Sequence, residues 1–447
     1  MTNPIGWMAG NLAEPLTFAT MLASFGLLAT AARWPIGVAL LAAAWIGAAL
    51  NGEFLPLRHL VEGGFSYIDP ILVIASAMIF MRILADGGAL GAIGRSVERR
   101  LGARPWLLLP ILMLIIMFPG MITGSSTASV ITTGAMAASI TSGLGLSRER
   151  TAAIIAIGGV LGMVAPPVNI PAMIIGGGID LPYSGFDIPL ALASFPLALV
   201  LVYGLAWPVL HRRESGARAS AAGGRATDEQ QGGRELSMGR ALAAPAAAAL
   251  LMLAPRLDPG RLPDIGLPLM FLTAAALGVA LLPKFKVLPS MLRATEESLP
   301  VLGILCGVGA FIQVMTLTGA RGWLVSLMTG APPWALFAAA GAGIPLFGAV
   351  SAFGSASVLG VPFLLALLGR DEVVTTAALS LLAGLGDLML PAALAATLAT
   401  QVAGAEDRMR VLRLCIIPAL LIAAFAVLML IYAPLIGKWC QVYKIHF

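Results

Sequence analysis

Charge is scarce in this sequence. Asp, Glu, Lys and Arg make up 11% of its 447 residues, where soluble domains carry about a quarter. Lysine is almost missing, with 4 copies against 23 arginines. The three histidines, His59, His211 and His446, lie far apart in loops or at the end, which excludes a histidine metal cluster or proton relay. The three cysteines, Cys306, Cys415 and Cys440, are equally scattered and lack metal-ligand or redox spacing. They read as small apolar packing residues. No His-Glu-x-x-His, Cys-x-x-Cys, nucleophile elbow or paired-carboxylate motif occurs, so no enzyme is expected. The first 13 residues hold no Lys or Arg, and a secretory signal peptide is not expected.

What is present is apolar. Hydrophobic residues reach 59% and mean hydropathy is +0.94. Apolar runs of 17 or more residues recur from end to end, each long enough to cross a bilayer. The expected fold is therefore an all-α polytopic membrane protein. The net charge of +5 reflects basic loops and not nucleic-acid binding.

The chain repeats itself. Gly-Ala-Arg-Pro-Trp (102–106) returns as Gly-Ala-Pro-Pro-Trp (330–334), 228 residues later. Each is followed by an apolar run and a small, hydroxyl-rich tip: Gly-Ser-Ser-Thr-Ala-Ser (124–129) and Gly-Ser-Ala-Ser (354–357). A Thr-Ala-Ala follows each tip (151–153 and 376–378), then a proline fifteen residues past its Thr, Pro166 and Pro391. Duplicated units with helix breakers inside apolar segments are the pattern of two-repeat membrane carriers.

The first repeat (1–210) is expected to have spans near 15–33, 35–51 and 67–87 and an amphipathic piece at 88–103. A re-entrant hairpin follows at 105–142, then a span over 148–180 broken at Ala-Pro-Pro-Val-Asn-Ile-Pro (165–171), then a span at 187–210. Residues 211–240, rich in Arg, Gly, Ser, Gln and Glu, read as a solvated linker. The second repeat (241–447) is expected to have spans near 239–255, 266–283 and 296–318 and an amphipathic piece at 319–330. A hairpin at 332–369, a broken span at 372–402 and a last span at 410–436 complete it. With both termini periplasmic, 19 basic residues fall in cytoplasmic loops and 7 outside, with Arg82 inside a span. That bias fixes the expected orientation in a bacterial inner membrane, with the linker cytoplasmic and the two repeats facing opposite ways.

Chemistry is expected where the helices break. Hydroxyls and freed carbonyls make a hard-oxygen site for a small cation, Na⁺ or else H⁺, with no other metal or cofactor. Gly124, Ser125, Thr127, Pro166, Gly354 and Asp387 are the candidate cation-site residues. Ser125, Ser126, Thr127, Asn169, Ser355 and Ser357 are the candidates for binding substrate. The competing reading of the tips is close helix packing by small residues. Asn169 either satisfies broken-helix carbonyls or contacts ligand. Asp387 couples a cation or proton, or caps a half-helix, since a lone carboxylate in an apolar span is costly. Arg82 and Asp86, four apart, suit a structural pair or snorkelling. Gln313 and Thr316 either line a cavity or pack.

The order of spans, the Gly-Ser-Ser tip and Gly-Met-Val-Ala-Pro-Pro-Val-Asn-Ile-Pro (162–171) resemble the large membrane subunit, DctM type, of tripartite ATP-independent periplasmic (TRAP) transporters. That resemblance implies scaffold and elevator domains and import of a small organic anion with Na⁺. It also implies a periplasmic substrate-binding protein and a small four-helix membrane subunit as partners. The second half departs from the family: the tip reads Phe-Gly-Ser-Ala-Ser (353–357) and the break Leu-Pro-Ala-Ala (390–393), without the usual acidic residue or second Pro-Pro. The alternative is a stand-alone relative in the wider ion-transporter superfamily, working without a binding protein and coupled to protons through Asp387. A membrane enzyme lacks a motif here, and a passive channel has no need of two opposed hairpins.

Overall fold

The computed structural model describes residues 4–216, 236–257, 265–283 and 285–446, and among these no β-strand forms. In lipid every backbone N–H and C=O must find a partner within the protein, which a helix provides by itself. The first half comprises α1 (Pro4–Thr30), α2 (Ile36–Leu50), α3 (Leu57–Phe65), α4 (Ile68–Asp86) and α5 (Ala89–Leu101), then α6 (Pro105–Thr123), α7 (Ser126–Gly143), α8 (Arg148–Val164), α9 (Ile170–Gly177) and α10 (Asp187–Gly216). The second half comprises α11 (Met238–Leu257), α12 (Gly266–Leu281), α13 (Val287–Leu317), α14 (Ala320–Thr329) and α15 (Pro333–Gly348). After these come α16 (Ala352–Ser355), α17 (Val361–Ala366), α18 (Glu372–Gly384), α19 (Leu394–Val402), α20 (Arg408–Ile431) and α21 (Ala433–His446). Six helices among the described residues are long and apolar enough to span a bilayer, and the protein is a polytopic membrane protein.

One group of helices is organised by α13. Gly303 and Gly307, four apart, meet Gly37 of α2, while Gly309 meets Gly63 of α3, so backbone touches backbone. Small residues permit this approach where lipid gives helices no hydrophobic reason to associate. A side chain at Gly307 would strike the Gly37 carbonyl, which cannot rotate away. Gly307→Val is expected to cost about 3 kcal/mol or more and to abolish the monodisperse peak in size-exclusion chromatography. Gly204→Ala on α10, where a Cβ meets open space, is expected to leave that peak intact.

The span expected at 296–318 is longer in the structure. Helix α13 begins at Val287 and runs 31 residues, about 46 Å at 1.5 Å per residue. Its charged first turns suggested a loop, yet they bind a neighbour. Arg82 of α4 donates to Asp86 at 3.1 Å and to Glu297 at 2.8 Å, and Ser290 donates to Asp86 at 2.6 Å. The charges pin α4 to α13. Helix α3 was not expected at all, and the last span divides at Tyr432 into α20 and α21. The expected linker shortens at both ends, since α10 reaches Gly216 and α11 starts at Met238; its middle lies outside the described residues.

The other group contains the hairpins and the broken helices. Helices α6 and α7 fold against α8, and α15 packs on α18 and α20. Arg150 at the start of α8 donates to the Leu205 carbonyl at 2.7 Å. Arg370, just before α18, donates to the Leu430 and Ile431 carbonyls at 2.9 Å and lies 4.8 Å above the Phe337 ring. Leu205 and Leu430 are 225 positions apart, the same spacing as Thr151 and Thr376. The two arginines are 220 positions apart, five short of that spacing, so each half has an arginine anchor but not at matching positions.

Candidate functional site: two hairpin tips and two helix breaks

The first tip is built by a glycine and a cap. Helix α6 ends at Gly124 with φ +63°, and a Cβ there would meet Ile170 of the neighbouring break. Ser125 is extended and its hydroxyl accepts from the Ala128 N–H at 3.3 Å, capping α7. Ser129 accepts from the Gly120 N–H at 2.7 Å and so joins the two arms. Ser126 is buried, while Ser125 and Thr127 are half-buried.

The first break lies against that tip. The Val168 N–H donates to the Met121 carbonyl at 3.1 Å. Pro166 sits on a cis bond to Pro167, between α8 and α9. Asn169 is completely buried, and each of its polar groups is used. Its amide nitrogen donates to the Val164 carbonyl and to the Ser380 hydroxyl, both at 2.9 Å. Its Oδ1 caps α9 by accepting from the Ala172 N–H at 2.9 Å, and its own N–H donates to the Tyr183 hydroxyl at 3.0 Å. Asn169 thus holds the break closed and ties it to α18.

The second tip is displaced from the expected Gly354-Ser355. Ser351 performs the capping that Ser125 performs in the first hairpin, accepting from the Gly354 N–H at 3.0 Å. Gly354 and Ser355 fall inside the descending helix. Ser355 donates to the Ile344 carbonyl at 2.6 Å, joining the arms as Ser129 does, and Ser357 donates to the Gly354 carbonyl at 2.9 Å. Both are buried. A π-helical turn at Ala356–Gly360 follows. The ascending arm ends at Gly348, where a Cβ would come within 2.9 Å of the Gly386 Cα, so hairpin and second break meet through backbone.

Asp387 stands in that second break, in a short 3-10 turn, Leu385–Leu388, that closes α18. A cis Leu390–Pro391 bond and Ala393, at φ +41°, lead into α19. The Ser126 hydroxyl donates to Asp387 Oδ2, which joins the first tip to the second break across 261 residues. Among the described residues no basic side chain pairs with Asp387. The structure therefore brings Ser126 and Asp387 together and sets Gly124 against Ile170, next to Asn169. No hydrogen bond among the described residues joins the two tips. Thr316 is exposed and bonds the Ile312 carbonyl of its own helix at 3.0 Å.

Two features were not expected. The Arg408 guanidinium donates to the Pro391 and Ala392 carbonyls at 3.1 and 3.0 Å. In addition, Tyr67, between α3 and α4, donates to the Ile174 carbonyl at 2.9 Å, and Arg321 of α14 donates to the Gly178 carbonyl at 2.6 Å. The last turn of α9 is held from outside the broken-helix group at both points. Nothing in the spacing of these residues signals contact across 143 positions in one case and 107 in the other. Among the described residues no three of His, Cys, Asp and Glu gather as a metal cluster.

Comparison with known proteins agrees with a helical membrane fold. The model of the Na⁺/H⁺ antiporter family matches residues 17–206, which leaves Asp387 outside the match. The Alcanivorax borkumensis YdaH transporter is similar in structure, with a TM-score of 0.58 at 16% identity, over 84% of this chain and 88% of that one. Neisseria gonorrhoeae MtrF, described among antimetabolite efflux pumps, gives a TM-score of 0.57 at 13% identity, over 92% of this chain and 97% of that one. No curated protein matches the sequence.

Proposed function

We propose that the protein is a secondary active carrier in which Ser126 and Asp387 form the ion-coupling centre for transport of a small organic anion. The observation that carries this reading is the bond between the first hairpin tip and the second break, made to a carboxylate with no basic partner among the described residues. A titratable, unpaired carboxylate where two broken helices meet has the chemistry to hold Na⁺ or a proton. The neighbouring oxygens of Ser125, Thr127 and Pro166 are candidate additional ligands, and the half-helix N-termini of α7 and α9 are candidate anion acceptors. The hairpins and broken helices are the moving body, and the α13-centred group is the fixed one. The antiporter-family match supports the stand-alone form, without binding protein or small subunit. The tripartite form is the second reading, favoured by the Pro-Pro-Val-Asn break. Na⁺ coupling goes with the tripartite form, and proton coupling through Asp387 with the stand-alone form.

Reconstituted protein tests this. Uptake of a panel of labelled mono- and dicarboxylates into liposomes is measured with an imposed Na⁺ gradient, an imposed pH gradient, or neither. Accumulation that depends on one gradient supports the carrier. Equilibration that ignores both identifies a passive pore. Orientation is tested separately. A cysteine at Ser220, which lies outside the described residues, is expected to resist membrane-impermeant thiol reagent in intact cells and to react in inverted vesicles. Efficient labelling in intact cells would reverse the faces of the two hairpins.

A further inference from the structure

The two breaks are satisfied by different chemistry. At the first, the neutral amide of Asn169 donates to the freed Val164 carbonyl. At the second, the Arg408 guanidinium donates to two successive carbonyls, Pro391 and Ala392, from 17 and 16 positions away. Arginine stays charged at any physiological pH. The second break is therefore met by a full positive charge.

Local preference does not explain this placement. Arg408 is the first residue of a 24-residue helix, α20, where the backbone dipole disfavours a cation. Asp407 offsets part of that cost, accepting from the Met409 and Arg410 N–H groups at 2.8 and 3.1 Å and pairing with Arg410 at 3.3 Å. The Arg408 Nε is buried with no acceptor, a further cost. What the position gains is the pair of carbonyls released where Leu390–Pro391 and left-handed Ala393 interrupt the helix.

We propose that Arg408 is a tethered cation occupying the second break, so that the protein carries one exchangeable cation site, at Ser126 and Asp387, and not two. This rests on the carrier reading above. Carbonyls released at a helix break are the groups that hold a mobile ion in two-repeat carriers. Here the guanidinium holds both, with the Thr397 hydroxyl also donating to the Ala392 carbonyl at 3.3 Å, and a second small cation beside it meets direct repulsion.

The test uses the purified full-length protein and two independent readouts. In thermal unfolding, Arg408→Gln and Arg408→Ala are expected to lower the midpoint by about 5 °C or more, while Arg408→Lys stays near wild type. Guanidinium chloride on the order of tens of millimolar, well below denaturing levels, is expected to restore Arg408→Ala and leave wild type unchanged, whereas choline chloride restores neither. Radiolabelled Na⁺ at saturation is expected to bind one ion per wild-type chain. Two ions per wild-type chain overturn the proposal, as does Arg408→Gln with wild-type stability or failure of guanidinium to restore Arg408→Ala. Should Arg408→Ala not fold, the Lys-against-Gln comparison and the wild-type stoichiometry decide. Absence of Na⁺ binding in wild type removes the Na⁺ form of the coupling centre, and the unfolding series then decides the role of Arg408 by itself.

Discussion

Asp387→Asn is expected to give a folded protein whose uptake no longer responds to the Na⁺ or pH gradient. Asparagine keeps the size of the side chain and still accepts from Ser126, so the link between first tip and second break survives. What disappears is the charge. A carboxylate without a basic partner costs several kcal/mol in a membrane interior unless an ion, a proton or water relieves it. Its removal is therefore expected to leave the unfolding midpoint equal to or above that of wild type. Coupling free energies of 1–3 kcal/mol correspond to about 5- to 150-fold in affinity, and loss of gradient-driven accumulation within that range is expected. The measurement is initial uptake across a matrix of pH and Na⁺, at matched protein level. Overlapping profiles for the two forms would reduce Asp387 to a helix-end cap and leave coupling to the first half alone.

Asn169→Ala is expected to do the opposite, damaging stability first. Three side-chain bonds go at once. The Ala172 N–H loses its cap, worth about 1 kcal/mol. The buried Val164 carbonyl and Ser380 hydroxyl lose a donor, at about 1–3 kcal/mol for each group left unpaired. Bonds sharing one residue are not additive, and a total of about 3–5 kcal/mol is expected. The readouts are the thermal midpoint in detergent and the rate of proteolysis between α8 and α9. A variant with wild-type stability and a raised half-saturation constant for substrate would instead make Asn169 a ligand residue. Asn169→Asp separates the roles further, since it retains the oxygen that caps α9 and loses the two donations.

The breaks were legible because their causes are local. Proline removes a donor and clashes with the preceding turn, yet Pro119, Pro300 and Pro418 lie inside continuous helices, so Pro166, Pro167 and Pro391 mark interruptions only together with the polar residues Asn169 and Asp387 beside them. Asp387 was legible for a similar reason, as a charge in an apolar run. The second tip was misplaced because a repeated Gly-Ser pair was aligned, when the feature that recurs is a capping hydroxyl three residues before the N–H it accepts from. Ser125 and Ser351 share that role, and Ser355 has the cross-arm role of Ser129. The start of α13 was missed because Lys286 and Arg293 look like a loop, and the Ser290 bond to Asp86 that holds this turn against α4 has no mark in the sequence. Arg408 was unreadable. Its partners are carbonyls, which no sequence pattern advertises, and its reach depends on the chain returning to the break after only nine residues of α19.

The grip on the last turn of α9 has a consequence for how this protein tolerates change over evolutionary time. Tyr67 and Arg321 bind main-chain oxygens of Ile174 and Gly178, and every amino acid supplies such an oxygen. No substitution at those two positions deletes the acceptor. What restricts this turn is space: a Cβ at Gly177 would stand 2.9 Å from the Tyr67 ring, and one at Gly178 would reach Val361 at 2.5 Å. Drift along α9 is thus filtered by volume and not by hydrogen-bonding capacity. The two donors, by contrast, have no such substitute. Natural variants that loosen this junction should therefore be found at positions 67 and 321, or as enlarged residues at 177 and 178, far more often than at 174.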